Sequence, residues 1–599
     1  MRTNLKNNFK IGLLGFILVC ITSCNDIMDT QSFDKFTEDV VWSNKANADA
    51  FIYATYHNII WDNENYRGYM NEEQWTNNSV SYDGNNLTRD LITRDDDYGF
   101  NRFGQIRRCN LIMEKVAAST GITEDDKKSL IAEAKYLRAM MYFYLAKRFG
   151  IVVWVDRVLT ENEPTYKLPT TPDVKTTYGY IIQDLEDAVK DMPEESPSGR
   201  ANKYTAYALL SEVCLQAAAY TGETALYQKV IDAADATINS GQYILDPDYE
   251  SIFNEKGRYS KEIILGTYRN NGNTYCDNIP DLQQGVPNVY NDFMDRTGNG
   301  PHFKVDRTFE AWLKWSATQN LVDNYLVIDK NTGKAVNWNE SSQFKASVVR
   351  ENPTNSLVRE AGRVTDGSRI NELMYNDRDK RFYASIVYDS CTWFNELVTT
   401  CIGGNLCRNV GENNFWGSTI SNYYFRKGVY NVNPRVYYGI PTDYHWVIFR
   451  LGRVYMNKAE ALLRQGKVAE AVETFNRTRI VHGQLPPSEA TTLEEAWTDY
   501  KRERRVEMAK EGDFYWTLLR WGKYGGPANA GREPGGKIAE FTEPAYLIDI
   551  TKDRKHYQIE QLTINQNNIR VFDETRRYLF PVPQGQRNRN ENLGQNSGW

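Results

Sequence analysis

The sequence has few of the residues and motifs on which most enzymatic sites are built. Only five of its 599 residues are histidine, and no two of them stand four positions apart, as a helical zinc site requires. A Gly-x-Ser-x-Gly nucleophile turn and a phosphate-binding glycine loop are both absent. Acidic residues are abundant, so a carboxylate pair for glycoside hydrolysis stays open, yet no spacing singles one out. We therefore predict a protein without enzymatic activity.

Long basic clusters are missing too, as are long apolar runs beyond the N-terminal leader. The formal net charge is −7, so the chain is mildly acidic. A nucleic-acid partner needs a basic patch or stripe, and we expect no such partner here. Since no run after the leader approaches the length of a membrane-spanning helix, we expect the body of the protein to lie outside the bilayer.

The eight cysteines follow neither a disulfide framework nor a metal-binding pattern. Export from the cytoplasm would permit a bridge between Cys401 and Cys407, or between Cys391 and Cys401. Cys109 and Cys214 fall on helical patterns, and we predict that they are unpaired, buried thiols.

The N-terminus carries the pattern of a bacterial lipoprotein signal. A basic start precedes a short apolar run from Ile11 to Ile21, and small residues lead directly into Cys24. We predict that residues 1–23 are a signal peptide, that Cys24 is the lipid anchor and that residues 24–43 form a tether. Each acyl CH₂ buried in the membrane contributes about 0.8 kcal/mol, so several chains on Cys24 would anchor the protein firmly. A plain secretory signal with an incidental cysteine is the alternative.

Helical periodicity dominates two parts of the chain. Apolar residues recur at steps of three and four in segments that we assign to helices, over 103–116, 127–149, 177–192, 203–220, 225–239, 444–464 and 468–481. Ala459, Ala471 and Phe475 have the spacing of tetratricopeptide packing positions. Because such hairpins must stack to bury their apolar faces, we predict a mainly α fold of tetratricopeptide type. Antiparallel hairpins without repeat geometry are the alternative.

Between these two parts the helical pattern breaks down. Residues 243–443 are rich in Gly, Asn and Asp, with interleaved aromatics, and we predict a loop-rich insertion with short strands. We assign residues 44–599 to a single domain, with a helical scaffold over 44–242 and 444–525 and a C-terminal tail over 526–599. The sequence contains 39 Tyr and 14 Trp, so some rings are expected at the surface, where they suit sugar ligands. Loops on a rigid scaffold often carry binding sites.

Acidic side chains form two local patterns. Glu503, Glu507 and Glu511 stand at four-residue steps beside Arg504 and Arg505, which predicts a charged helix with internal ion pairs. The run 95–97 is three aspartates, whose oxygens could help to hold a structural calcium ion; a solvated loop is the alternative. No other cofactor or metal is expected.

Several segments, taken together, resemble the SusD/RagB family of outer-membrane nutrient-binding lipoproteins. They share distinctive sequences in the family's order and span almost the whole chain: AEAKYLRAMMYFYL at 132–145, ERRVEM at 503–508, LRWG at 519–522, LFPVP at 579–583 and QNSGW at 595–599. The resemblance implies a superhelix of tetratricopeptide type wrapped by loops and short strands. It also implies a protein that is lipid-anchored in the outer membrane, exposed at the cell surface, and delivers captured oligosaccharides to a SusC-like TonB-dependent transporter.

A glycan site needs aromatic rings that stack on the apolar faces of sugars, together with polar neighbours that bind hydroxyls. The resemblance implies one ring from the loop after the first helix and others from the insertion. On that analogy we predict that the ligand-binding residues are Trp75, Tyr82, Tyr275, Trp312 and Trp416.

Two other functions stay open. The RagB branch of the family resembles a peptide-uptake component, which would bind through residues that read the peptide main chain. A helical-repeat scaffold that binds only protein partners is the second alternative, and it would need no pocket for a small ligand. The surplus of aromatic residues favours the glycan hypothesis over this scaffold.

Overall fold

A computed structural model describes residues 38–60, 72–160, 167–287, 311–353, 355–408, 417–431, 439–522 and 538–599. The predicted signal peptide, the anchor Cys24 and the candidate Trp416 lie outside these residues. The last residues of the predicted tether lie within them, and there the prediction is wrong. Residues 38–41 are helical, and Trp42 is buried with its ring 5.1 Å from that of Phe51. The folded body therefore begins before residue 44.

The described chain contains many helices and a smaller number of short strands. The α-helices are α1 (Glu38–Val41), α2 (Lys45–Tyr56), α3 (Phe103–Ala118), α4 (Glu124–Phe149), α5 (Val174–Asp191), α6 (Lys203–Thr221), α7 (Leu226–Ile238), α8 (Pro280–Gly285), α9 (Gln319–Val322), α10 (Ser342–Ser347), α11 (Ile370–Tyr375), α12 (Lys380–Ser385), α13 (Leu451–Arg464), α14 (Val468–Val481), α15 (Leu493–Glu507), α16 (Phe514–Trp521), α17 (Ala539–Thr542) and α18 (Gln584–Arg589). The strands are β1 (Ser79–Ser81), β2 (Ile263–Tyr268), β3 (Trp315–Ala317), β4 (Val327–Ile328), β5 (Ala335–Val336), β6 (Val348–Glu351), β7 (Val358–Val364), β8 (Ile386–Val387), β9 (Thr392–Trp393), β10 (Glu396–Leu397), β11 (Tyr424–Phe425), β12 (His445–Arg450), β13 (Tyr546–Ile550) and β14 (His556–Gln561).

The long helices stack as consecutive hairpins. From α3 to α7, each helix packs along the next one in sequence. The ends of these helices follow capping rules: Asn202 and Thr205 form a reciprocal capping box at the start of α6, and Gly222 ends the helix in the left-handed conformation, with φ 76°. The stack then continues across the insertion, because α13 packs on both α6 and α7, and α14 and α15 follow. The predicted mainly α fold of tetratricopeptide type is confirmed.

One predicted helix starts too early. The pattern from Tyr444 onward predicts a helix, but His445–Arg450 is strand β12, which pairs antiparallel with β2. All six residues of β12 are buried. A strand that is buried on both faces has no polar alternation, so periodicity does not distinguish it from the start of a buried helix.

The insertion and the C-terminal tail share a sheet. Strands β6 and β7 come from the insertion, β13 and β14 come from the tail, and together they form one antiparallel sheet in the order β13-β14-β7-β6. The remaining described sheets are pairs of short strands, among which β1 pairs with β3. The tail therefore closes over the insertion as an integral part of the domain.

A buried network of charged side chains joins the insertion to the scaffold. Glu503 and Glu507 end α15, and Glu511 follows in the next turn. Their main partners are not on the same helix, so the prediction of internal pairs is wrong. Arg381 on α12 lies 2.7 Å from Glu503 and 3.0 Å from Glu507, while Arg450 on β12 lies 2.6 Å from both Glu507 and Glu511. All five side chains are almost completely buried.

The cysteines in the described residues are all free. Neither of the two bridges that export would permit is formed in the structure, since Cys391, Cys401 and Cys407 are unpaired. Cys109 and Cys214 are buried thiols, as predicted, and burial raises the pKa of each to about 12. Among the described helices, none combines the length and hydropathy needed to cross a membrane.

Candidate functional site

An extended segment of the insertion displays a tryptophan ring to solvent. Side chains alternate along it: Ala311, Leu313 and Trp315 are buried, while Trp312 and Lys314 are exposed. This is the period of a strand with one face on the core. The exposed fraction of Trp312 is 47%, and no other tryptophan among the described residues is as exposed, which makes it a candidate contact residue.

Helix α8 holds this segment by its backbone. The Trp312 N–H donates to the Gln283 carbonyl at 2.6 Å, and the Lys314 N–H donates to the Gln284 carbonyl at 2.9 Å. Both glutamines are half-buried, so part of each residue is accessible to solvent. An amide can donate and accept hydrogen bonds at once, as binding a hydroxyl group requires.

Helix α8 is itself anchored from below. Its Asp281 is buried, and one carboxylate oxygen lies 3.2 Å from the Nζ of Lys510, which follows α15. Burial raises the pKa of Asp281, and the Lys510 ammonium opposes that effect. The pair therefore ties α8 to the segment that follows α15, and α8 in turn holds the backbone of Trp312.

Tyr275 lies in the segment that leads into α8. Its backbone forms an antiparallel bridge with Pro441, and the neighbouring Cys276 N–H donates to the Ile440 carbonyl at 2.9 Å. The Tyr275 side chain is 39% exposed. A single 3₁₀ turn, Cys276–Asn278, connects it to α8. We call Tyr275, Gln283, Trp312 and Lys314 the platform surface.

Tyr82 is brought towards the same segment by strand pairing. It directly follows β1, and β1 pairs antiparallel with β3, so that Ser81 lies opposite Trp315. The Tyr82 side chain is half-buried, packed against a small apolar cluster that includes Ile420 and Leu562. The structure thus places three of the five predicted rings, those of Tyr82, Tyr275 and Trp312, in adjoining segments.

Trp75 lies in a different aromatic cluster. Its half-buried ring packs edge-on against Tyr515, Trp516 and Phe580, at centroid distances of 5.1, 6.3 and 6.0 Å. These contacts connect the segment before β1 to α16 and to the C-terminal tail. The position gives Trp75 a packing role.

Among the described residues, one group of three side chains is placed as metal ligands would be, but its members are already paired with one another and with an arginine. Ligand atoms of Glu262, His482 and Glu507 lie within 4.8 Å of one another. Both ring nitrogens of His482 are used, with Nε2 2.8 Å from Glu262 and Nδ1 2.8 Å from Glu507. Arg450 lies 3.0 Å from Glu262 and 2.6 Å from Glu507. The cluster therefore has its own cations, and a protonated imidazole offers no lone pair to a metal.

The aspartates over 95–97 are engaged in local turns. Asp96 accepts from the N–H of Thr93 at 2.6 Å, and Asp97 accepts from the N–H groups of Gly99 and Phe100 at 2.8 and 2.9 Å. Such side chain to backbone bonds are typical of a solvated loop. Calcium binding here stays a prediction.

Comparison with known families decides the assignment. The SusD family profile matches residues 262–599, and a second family, described as starch-binding and associating with the outer membrane, matches residues 28–215. The chain belongs to the SusD family.

Individual SusD relatives agree with this assignment. A SusD-like protein from Bacteroides ovatus is 29% identical over 436 residues, covering 70% of this chain but only 64% of that protein. The starch-binding protein SusD from Bacteroides thetaiotaomicron is 24% identical over 463 residues, 74% of each chain. The crystal structure of a SusD-like protein from Bacteroides fragilis superposes with a TM-score of 0.72 at 23% identity, covering 94% of this chain and 99% of that one, and so shares the fold.

Within this SusD-family chain, sequence reasoning missed the support beneath the platform surface. Asp281 and Lys510 lie far apart in the sequence, and neither stands in a recognisable motif. An acidic residue at the start of a short helix is typical of any helix N-terminus, so Asp281 carried no signal that it would be buried.

Proposed function

We propose that this SusD-family protein is a non-enzymatic glycan-binding protein that captures oligosaccharides. The observation that carries the proposal is the Trp312 ring, which is nearly half exposed although its backbone is bonded to α8. A large aromatic residue that remains nearly half exposed is suited to a ligand with an apolar face. Sugar rings have apolar faces made of C–H groups, and hydroxyl groups lie around the edges of these faces.

The chemistry of the platform surface matches a neutral polar ligand. Trp312 and Tyr275 are exposed aromatic residues in the segments that adjoin α8, and Gln283 and Lys314 in the same part of the chain carry groups that can form hydrogen bonds. Binding sites commonly combine an apolar surface with a few convergent polar groups in this way. The named activity of the starch-binding relative supports the same ligand class.

The proposal includes a place in the cell and a partner. The protein is anchored in the outer membrane through Cys24, is exposed at the cell surface, and passes its ligand to a SusC-like TonB-dependent transporter. The lipoprotein signal at the N-terminus supports the anchor, and the description of the second matching family supports association with the outer membrane. Affinity purification of the tagged protein from membranes tests the partner, which should be recovered as a TonB-dependent transporter.

Replacing Cys24 with alanine should move the protein from the membrane fraction to the soluble fraction, because the variant has no thiol to acylate at that position. Fractionation of cells followed by immunoblotting measures this. Cys20→Ala is the matched control, since it changes a cysteine inside the leader and should leave the protein in the membrane. Retention of the Cys24 variant in the membrane would contradict the anchor.

Replacing Trp312 with alanine should weaken glycan binding roughly 5- to 150-fold, because a stacked ring contributes about 1–3 kcal/mol. The soluble protein, beginning after Cys24, is first applied to an array of plant, host and microbial glycans with peptides alongside. Titration calorimetry then measures the affinity of the protein for the glycan that binds best on the array. Tyr180→Ala is the matched control, because Tyr180 is 45% exposed on α5, outside the platform surface.

Three outcomes would count against this proposal. Equal affinities of the Trp312 and Tyr180 variants would move the site away from the platform surface. Release of reducing ends by the pure protein would contradict a non-enzymatic role. Retention of peptides alone would favour the peptide-uptake alternative.

A further inference from the structure

We infer that a second aromatic surface, formed by Tyr259 and Tyr268 beside Arg258 and Asp443, is an additional saccharide subsite on the same face as Tyr275. We call these four residues the stack subsite. The inference rests on the proposed function, since it extends the glycan surface from the platform surface along the chain of the ligand. It predicts that the protein prefers long oligosaccharides over short ones.

Three stacked rings lead from the core to the surface of the protein. The ring of Tyr259 stacks on that of Tyr268 at 5.1 Å, with an interplanar angle of 21°. Tyr268 in turn lies nearly parallel to the imidazole of His445, at 6.2 Å and 11°. His445 is buried, whereas Tyr259 is 64% exposed. Although Tyr268 stacks on Tyr259, most of the Tyr259 surface remains accessible to a ligand.

The innermost of the three stacked rings, the His445 imidazole, is held by two hydrogen bonds. The His445 Nε2 lies 2.8 Å from the Ile252 carbonyl, and its Nδ1 is bonded to the Tyr430 hydroxyl. Burial lowers the pKa of His445 to about 4, so the ring is neutral at physiological pH. A ring that is already oriented loses little conformational entropy when a ligand stacks on it, which favours binding.

The segment before β12 presents alternate side chains to solvent. Pro441 is exposed and Asp443 is half-exposed, while Thr442 between them and Tyr444 after Asp443 are buried. This is the alternation of an extended chain, in which residues two apart share a face. Pro441, Asp443 and His445 therefore lie on one face, and Tyr268 covers the last of them.

Strand pairing places Tyr275 on that same face. Tyr275 bridges Pro441, and Tyr268 is the register partner of His445. Directly opposite residues of an antiparallel pair point to the same side. Since Pro441 and His445 are four residues apart, the two tyrosines are separated by roughly 13 Å along the strand direction. A linear oligosaccharide of a few sugar units spans such a distance.

Polar groups lie next to the stacked rings. The Arg258 guanidinium is 5.3 Å from the centre of Tyr259 and 5.8 Å from that of Tyr268. Its Nη1 bonds to Asp443 Oδ2 at 2.7 Å, and the Asp443 side chain remains 46% exposed. The carboxylate can therefore accept hydrogen bonds from ligand hydroxyls. A stacked ring beside a charged, hydrogen-bonding pair meets the two requirements of a sugar subsite.

The test measures affinity against chain length. A series of linear oligomers of the glycan found on the array is titrated into the wild-type soluble protein and its variants. Tyr259→Ala should weaken binding of the longest oligomers about tenfold, the effect of one lost stacking ring, and leave the shortest binding oligomer unaffected. Tyr259→Phe should restore wild-type affinity, because it keeps the ring.

Tyr53→Ala is the matched control for this series. Tyr53 is 47% exposed on α2, and the Arg200 guanidinium lies 5.3 Å from its ring, so its surroundings resemble those of Tyr259. If Tyr259→Ala binds the longest oligomers as tightly as Tyr53→Ala does, the inference is overturned while the proposed function stands. If the wild-type protein binds no glycan of any length, both fail.

Discussion

Replacing Arg450 with methionine is expected to lower the free energy of unfolding by about 3–5 kcal/mol, the usual effect of removing one partner from a buried ion pair. The Arg450 side chain is completely buried, and its guanidinium lies 3.0 Å from Glu262, 2.6 Å from Glu507 and 2.6 Å from Glu511. Methionine fills much of the same volume but has no charge. The three carboxylates would then lose a shared cation in a place that water does not reach.

The expected loss of stability is large because Arg450 connects the insertion to the helical scaffold. It ends β12, which pairs with strand β2 of the insertion, and it contacts Glu262 beside β2 as well as the acids at and after the end of α15. His482, Arg381 and Lys427 remain as partners of these acids, so the network is weakened rather than abolished. Urea unfolding followed by circular dichroism measures the effect.

Arg350→Met is the matched control for Arg450→Met. Arg350 also pairs with carboxylates, at 3.2 Å from Glu340 and 3.7 Å from Glu360, but its side chain is 54% exposed. Exposed pairs contribute about 0–1 kcal/mol, so this variant should unfold almost as the wild type does. Equal losses of unfolding free energy in the two variants would show that burial of the network does not determine how much it contributes to stability.

The second large effect is a loss of stability at alkaline pH that depends on His482. Burial alone would lower the pKa of His482, but the Glu262 and Glu507 carboxylates outweigh it and raise the pKa to about 9. The ordinary value in an unfolded chain is about 6.5. The imidazolium therefore stabilises the folded state fully below pH 6.5, and this stabilisation disappears as the pH rises through about 9.

The size of this effect follows from the same two values. Moving a pKa from about 6.5 to about 9 corresponds to roughly 3 kcal/mol of stabilisation at low pH. His482→Gln keeps a hydrogen-bonding side chain but carries no proton that titrates. The difference in unfolding free energy between wild type and His482→Gln should therefore shrink by about that amount between pH 6.5 and 9.

The comparison between the two proteins is needed because another buried group titrates in the opposite sense. Burial lowers the pKa of Lys427 to about 8, so above that pH the folded state binds fewer protons than the unfolded chain, and stability gains from Lys427 as the pH rises. Lys427 is unchanged in His482→Gln, so subtraction isolates the histidine. A difference that stays constant from pH 6.5 to 9 would show that His482 is neutral in the folded protein.

The helical scaffold was predictable from the sequence with small errors. Helices α6 and α7 begin and end within two residues of their predicted bounds, because the apolar period that defines them is a local property. Strand β12 was mistaken for the first turns of α13, since a buried strand and a buried helix have the same composition over six residues. The sheet shared by the insertion and the tail had no signal, because its strands come from distant parts of the chain.

The candidate site was predictable in kind but not in detail. Aromatic composition pointed to exposed rings, and Tyr275 and Trp312 are indeed among them. The same reasoning names Trp75, which packs against other rings and whose part in binding stays a prediction, but it does not name Tyr259, which is 64% exposed. Two aromatic residues in similar loops look alike in sequence, because exposure depends on which neighbours arrive from elsewhere.

Local patterns in the sequence are enough to assign the class of this protein: its helical hairpins, its irregular insertion and the motifs of the SusD family are all recognised from residues that are close together in the chain. The pairing of the acids with their arginines, the bonds of Trp312 to α8 and the bridge from Tyr275 to Pro441 are visible only in the folded protein. Periodicity and motifs are short-range properties of the chain, so they do not report such contacts. Burial, ion pairing and the shape of a binding surface arise from contacts between residues that are far apart in it.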